Sequence, residues 1–204
     1  MRYLALFCSV LLHPLLLLNL GLASVLKFHP YYQSKFYDTQ FYTLVLFIAF
    51  TTFLMPLLSV YLLKRFGFVD SLSIEKPKQR LLPYSVIALL LAYAGFNLYK
   101  NDFTGLPLVF LLSTIACIFL NILINFKLKI SSHAIAAGGL LGLYICLTLL
   151  QHISVFNWFL ITSILLAGVS GWSRLFLNAH TEKQVYLGYV VGLAVVLPMC
   201  YFLG

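Results

Sequence analysis

The chain has 204 residues, of which 62% are hydrophobic and only 9% charged, with thirteen Lys and Arg against five Asp and Glu. A soluble domain normally carries about 25% charged residues. So sparse a set cannot build a water-soluble surface, and the composition is that of an integral membrane protein.

A helix needs about 20 residues to cross some 30 Å of hydrocarbon, and in lipid the backbone must satisfy its own hydrogen bonds. The apolar runs predict seven helical spans, at 3–25, 41–63, 84–99, 106–126, 134–150, 157–177 and 185–203, the third and fifth being short. The alternating segments of about ten residues that mark a transmembrane β-barrel are missing. The expected fold is therefore all-α, a polytopic transmembrane bundle of about seven spans. With no linker, low-complexity tract or internal repeat, residues 1–204 read as a single domain.

The first span begins after Met1 and Arg2, as a secretory signal would. Its apolar stretch exceeds the usual core of about 7–15 residues and no A-x-A site follows, so it reads as a retained helix. Within it His13 precedes Pro14, which predicts a kink with a hydrogen-bonded imidazole. Cys8, Cys117, Cys146 and Cys200 stand singly in apolar segments with no C-x-x-C spacing. They read as buried thiols rather than a zinc site or a disulfide framework.

Three connections between spans collect most of the polar residues. They are "KRFGFVDSLSIEKPKQRLLP" (64–83), "NFKLKISSHA" (125–134) and "SRLFLNAHTEKQ" (173–184). Each is separated from the next by two spans, so all three share one membrane face with the N-terminus. Ten of the thirteen bases fall there: Arg2, Lys64, Arg65, Lys76, Lys78, Arg80, Lys127, Lys129, Arg174 and Lys183. Of the acids, Asp70, Glu75 and Glu182 lie on this face and Asp38 and Asp102 opposite. Basic loops that stay in the cytoplasm account for much of the bias. They do not account for Ser131, Ser132 and His133 at the start of one helix, or for Arg174 and His180 at the junction of two others.

The residue types on this face suit an anionic, phosphorylated ligand. Ser131 or Ser132 can cap the following helix and leave its positive end for an anion. Arg174 and Arg80 offer planar forks that match two phosphate oxygens at once. His133 and His180 are the histidines of these connections, and imidazole exchanges protons near neutral pH. No carboxylate lies within an apolar span, so two-acid catalysis and a carboxylate metal cage are not expected. Asn121 and Asn125, one turn apart, read as an interhelical hydrogen-bonding face. His29 and His152 fall on the opposite membrane face.

The three segments resemble those of the type 2 phosphatidic acid phosphatase superfamily of membrane lipid phosphatases. That family carries Lys-x6-Arg-Pro, Pro-Ser-Gly-His and Ser-Arg-x5-His-x3-Asp. Ser173-Arg174, His180 and Gln184 reproduce the third spacing, with glutamine at the place of the acid. Ile130-Ser131-Ser132-His133 stands where the second motif would be. "KPKQRLLP" around Arg80 is similar to the first in part, without its lysine and with Pro83 displaced. The likeness covers about residues 64–192, and "HPLLLL" in the first span resembles a short bacterial branch.

The resemblance implies a six-helix phosphatase core and hydrolysis of a lipid phosphomonoester or diphosphate through a phosphohistidine, with no cofactor and no metal. It implies His180 as nucleophile, oriented by Gln184, and His133 as proton donor. Arg174, Arg80, Lys76, Ser131 and Ser132 would hold the phosphate, with Lys78 and Lys129 as further contacts. The implied partners are a polyprenyl diphosphate or a phosphatidic acid or phosphatidylglycerophosphate type of lipid and the surrounding bilayer, not nucleic acid; an oligomer is compatible with this. The implied location is the bacterial inner (cell) membrane. The departures from the motifs suit a second reading, a family member that binds headgroups or serves as a membrane subunit without turnover.

Overall fold

The computed structural model describes residues 1–35, 38–72, 74 and 76–204, with backbone alone for 38–40, 77 and 78. Glu75, one of the acids assigned to the basic face, lies outside the described residues, as does the side chain of Lys78. Every regular element among the described residues is helical. The helices are α1 (Arg2–Leu11), α2 (Pro14–Phe28), α3 (Pro30–Gln33), α4 (Asp38–Ala49), α5 (Met55–Arg65), α6 (Leu81–Lys100), α7 (Leu106–Asn125), α8 (Ser132–Ile145), α9 (Asn157–Phe176) and α10 (Glu182–Leu203). A π-helical turn at Phe50–Leu54 joins α4 to α5, and another at Cys146–Leu150 extends α8. Six helical stretches among the described residues are long and apolar enough to cross a membrane; α1 and α2 together make a seventh, broken by 47°.

The first span is thus two helices rather than one kinked helix. Pro14 has no N–H to give and sits in the first turn of α2, where none is needed. His13 caps that turn, its Nδ1 accepting from Leu15 N–H at 3.3 Å. The third and fifth spans are longer than expected, for related reasons. Pro83 falls in the first turn of α6, where a missing N–H costs no helical bond, so the helix starts at Leu81. Ser132 and His133 are polar but form the first turn of α8, capped by Ser131.

α8 is the central helix, and α2, α7, α9 and α10 all pack against it. Its closest partner is α10. Gly188 and Gly192 of α10 face the first turns of α8, and Gly138 faces the backbone of Tyr189. A Cβ on Gly188 would stand 2.7 Å from Ala134 Cβ and 2.9 Å from Ser131 O. One on Gly192 would overlap the carbonyl of Ile135. Small residues permit this approach, and in lipid dispersion contacts of this kind hold helices together.

α2 runs beside α8 in the same direction. Ser24 donates to the Gly21 carbonyl, so at their 2.8 Å contact the Tyr144 phenol is the donor to Ser24. At the far end Tyr32 accepts from Leu106 N–H and donates to Thr104 O, and His29 lies against its ring. Leu89, Tyr93, Phe119, Leu123, Trp158, Leu165 and Phe202 project from the bundle, more than half exposed, as lipid-facing side chains do. All four cysteines are free, and Cys117, Cys146 and Cys200 are buried.

Gly192→Ala should destabilise the protein by about 1–3 kcal/mol, the usual cost of overpacking. Gly168, whose Cβ position is open, should accept alanine without loss. Thermal unfolding of the two variants in detergent makes the comparison; equal midpoints would remove the α8–α10 contact from the account.

Candidate active site

The first turn of α8 sets one wall of the site. Ser131 is completely buried, and its Oγ accepts from Ala134 N–H at 3.4 Å. Its own N–H donates to the Gln184 carbonyl at 3.4 Å, tying the start of α8 to the start of α10. Ser132 does not cap. Its Oγ accepts from Asn121 Nδ2 at 2.9 Å and pairs with the Tyr84 hydroxyl at 2.7 Å.

Arg80 forms a second wall from the loop before α6. It is 5% exposed. Its Nε donates to Ile74 O at 3.1 Å, and Nη1 donates to Asn125 Oδ1 at 2.8 Å and to Ile130 O at 3.1 Å. Asn125 Nδ2 in turn donates to the Asn121 carbonyl at 2.6 Å. The two asparagines therefore supply the polar face expected of them, turned toward Arg80 and Ser132.

The third wall is the tight junction of α9 and α10. α9 ends with Ala179 N–H bonded to Arg174 O and Asn178 N–H to Leu175 O. Asn178 has a φ of 51°, and this is the Schellman arrangement with asparagine in the left-handed position. α10 begins two residues after His180, capped at Thr181. Gln184 is its third residue and reaches back so that Oε1 accepts from Thr181 N–H at 3.2 Å, half of a capping box.

That bond fixes the tautomer of His180. A backbone N–H only donates, so the Gln184 atom facing Thr181 is the oxygen. The same oxygen lies 3.1 Å from His180 Nδ1, which must then carry the imidazole proton and leave Nε2 with a lone pair. His180 is 8% exposed. Burial pushes its pKa down to about 4; the Gln184 bond works against this, while the charges of Arg174, Arg80 and Lys129 add to it. The imidazole is neutral at pH 7 and surrounded by cations.

The fourth wall comes from α1. Ser9, buried on its last turn, accepts at Oγ from Arg174 Nη1 at 2.8 Å. Its carbonyl lies 3.0 Å from His133 Nε2; since a carbonyl only accepts, that nitrogen carries a proton. The His13 ring meets His133 edge-on, centroids 5.8 Å apart.

Of the residues singled out from the sequence, the structure gathers Arg80, Ser131, Ser132, His133, Arg174, His180 and Gln184 at this end of the bundle, with Lys129 half-buried nearby. It does not bring Lys76 to them. That side chain is 70% exposed and bonded at 2.5 Å to Asp70, six residues earlier in the same loop. Ser9 and the approach of His13 to His133 are not evident from the sequence, because they lie in an apolar run remote from the motif segments; Tyr84 directly follows one of those segments but opens an apolar run. The cap formed by Gln184 has a visible signature, Thr181-x-x-Gln184. Among the described residues no three His, Cys, Asp or Glu side chains are grouped so as to hold a metal ion. No family model, no curated protein and no solved structure matches the chain.

The lowered pKa of His180 has a consequence for stability. In the unfolded chain the imidazole titrates near pH 6.5, and in the fold near 4. Between those values the unfolded state binds the extra proton, so stability should fall as pH drops through that window and be unaffected by this group above it. The His180 imidazole resonances should titrate with a midpoint near 4, and His180→Gln should flatten the acid limb of a plot of unfolding temperature against pH. A midpoint near 6.5 would contradict the enclosed, cationic setting.

Proposed function

We propose that this chain is a membrane lipid phosphatase, releasing phosphate from a lipid phosphomonoester or diphosphate by two successive phosphoryl transfers. The observation that carries the reading is His180: a neutral imidazole with Nδ1–H held by Gln184 and Nε2 unprotonated, under the charge of Arg174, Arg80 and Lys129. An anion is drawn to those charges, and a nucleophile is already waiting there.

In the proposed sequence Nε2 of His180 attacks phosphorus, and the bond from phosphorus to the lipid oxygen breaks. His133, carrying a second proton on Nδ1 while Nε2–H stays on the Ser9 carbonyl, delivers that Nδ1 proton to the departing oxygen. Water then attacks the phosphohistidine, with His133 accepting its proton, and phosphate leaves as His180 is restored. Splitting hydrolysis in this way is the logic of nucleophilic catalysis. Arg174 and Arg80 stabilise the equatorial phosphoryl oxygens, with Lys129 taking the part first assigned to Lys76. The free backbone N–H groups of the first turn of α8 add their dipole. No step calls for a metal or cofactor.

Placement supports a lipid substrate. The site stands at the ends of helices whose outer faces meet lipid, which favours a phosphate presented from the bilayer. A polyprenyl diphosphate and a phosphatidic acid or phosphatidylglycerophosphate type of glycerolipid both fit that description. The basic bias of this face favours the cytoplasmic side, and the membrane we propose is a bacterial inner membrane. One observation favours the second reading, headgroup binding without turnover: Gln184 is neutral and cannot stabilise an imidazolium as a carboxylate would.

Purified protein reconstituted in vesicles should release phosphate from at least one lipid phosphate, and His180→Ala should abolish release. Gln184→Ala should cost about 10- to 100-fold, the worth of a hydrogen bond to a charged group. Gln184→Glu, which keeps the reach and adds a charge, should preserve or raise the rate. Silence of the wild-type protein on a panel of mono- and diphosphates would leave the binding reading in its place.

A further inference from the structure

The reaction as described gives α1 no part, yet its last turn holds two of the groups that the reaction uses. Ser9 Oγ accepts from Arg174 Nη1 at 2.8 Å, and the Ser9 carbonyl accepts from His133 Nε2–H at 3.0 Å, with Oγ also 3.5 Å from that nitrogen. One residue thereby touches a cation 165 positions away and an imidazole 124 positions away in the chain.

The chemistry of the contact is selective. A carboxylate at this position would cancel the guanidinium charge that an incoming phosphate needs. A hydroxyl and a carbonyl orient the same groups and leave their charge intact. The carbonyl also fixes which nitrogen of His133 bears the proton. Geometry around the corner is held from the other side by His13. Its Nδ1 is committed to Leu15 N–H, and its ring packs edge-on against His133. Ser9 itself is only 7% exposed, so water does not compete freely for either bond.

We propose that Ser9 is a positioning residue of this site. It sets the Arg174 guanidinium and the His133 ring relative to each other, so that Arg174 and His133 Nδ1 meet one phosphoryl group. This rests on the reading that those two residues serve phosphoryl transfer.

The opposite role is a plug, in which the two Ser9 oxygens merely fill places that phosphate oxygens would take. The two roles differ in sign. If Ser9 positions, removing its hydroxyl loosens Arg174 and weakens anion binding; if it plugs, the same change strengthens binding.

Orthovanadate, a phosphate mimic, is a suitable probe, titrated calorimetrically into the full-length protein in nanodiscs. Ser9→Ala should weaken vanadate affinity about 10- to 100-fold, as loss of a hydrogen bond to a charged group does. Ser9→Thr should restore it, while Ser9→Val, of the same shape without the hydroxyl, should not. The Thr and Val pair decides the matter even if the alanine variant fails to fold. Val affinity equal to or tighter than that of Thr would overturn the proposal. Wild-type protein that binds vanadate and releases lipid phosphate, with Val matching Thr, would overturn the role of Ser9 alone. Wild-type protein that does not bind vanadate would overturn it together with the roles given to Arg174 and His133.

Discussion

The backbones of α8 and α10 touch, and the arrangement of the site follows from that. Gly188 and Gly192 remove the side chains that would hold the two helices apart, so Ser131 N–H reaches the Gln184 carbonyl. Because that bond joins the first turns of both helices, His133 on one and His180 before the other are set by rigid elements rather than by long loops. The five-residue junction from 177 to 181 adds little freedom, since a Schellman cap closes α9 and Thr181 opens α10. Sites fixed in this way hold reacting groups in place, as the proposed phosphoryl transfer requires.

A second regularity governs the charges. The acceptors found on Arg80, His133 and His180 are neutral oxygens, as is the Ser9 hydroxyl that meets Arg174. Arg80 is held by two carbonyls and the Asn125 amide, Arg174 by the Ser9 hydroxyl, and His133 by the Ser9 carbonyl. His180 is held by the Gln184 amide. Neutral partners orient a charged group without neutralising it. This gives the amide at Gln184 a physical sense: it serves both as helix cap and as orienter, at the expense of the extra stabilisation a carboxylate would offer an imidazolium. Lys76, paired with Asp70 in solvent, is the counterexample that shows what a neutralised base on this face looks like.

Much of this was legible in the residues. Long apolar runs force helices in lipid, and an even number of spans between basic connections places them on one face. Arg174, His180 and Gln184 were readable from local spacing because they sit on one helix end and the next. What spacing could not reach was contact between distant segments. The approach of Ser9 to Arg174 depends on how α1 turns away at Leu12–His13 and packs on α9, and no periodicity in "LFCSVLLHPLL" encodes that direction. The pairing of Lys76 is hidden for the opposite reason: its rival partner is close in sequence, but only loop geometry brings Asp70 to it. Pro83 was misleading as a boundary, because proline ends a helix from its interior but is harmless in the first turn.

The central claim is that His180 forms a bond to phosphorus. Rapid quenching of the reconstituted protein with a lipid phosphate carrying labelled phosphorus tests it most directly. The account predicts an acid-labile, base-stable phosphoprotein whose label maps to His180, absent in His180→Ala. Phosphate release with no trapped label, or label on any residue other than His180, would contradict it.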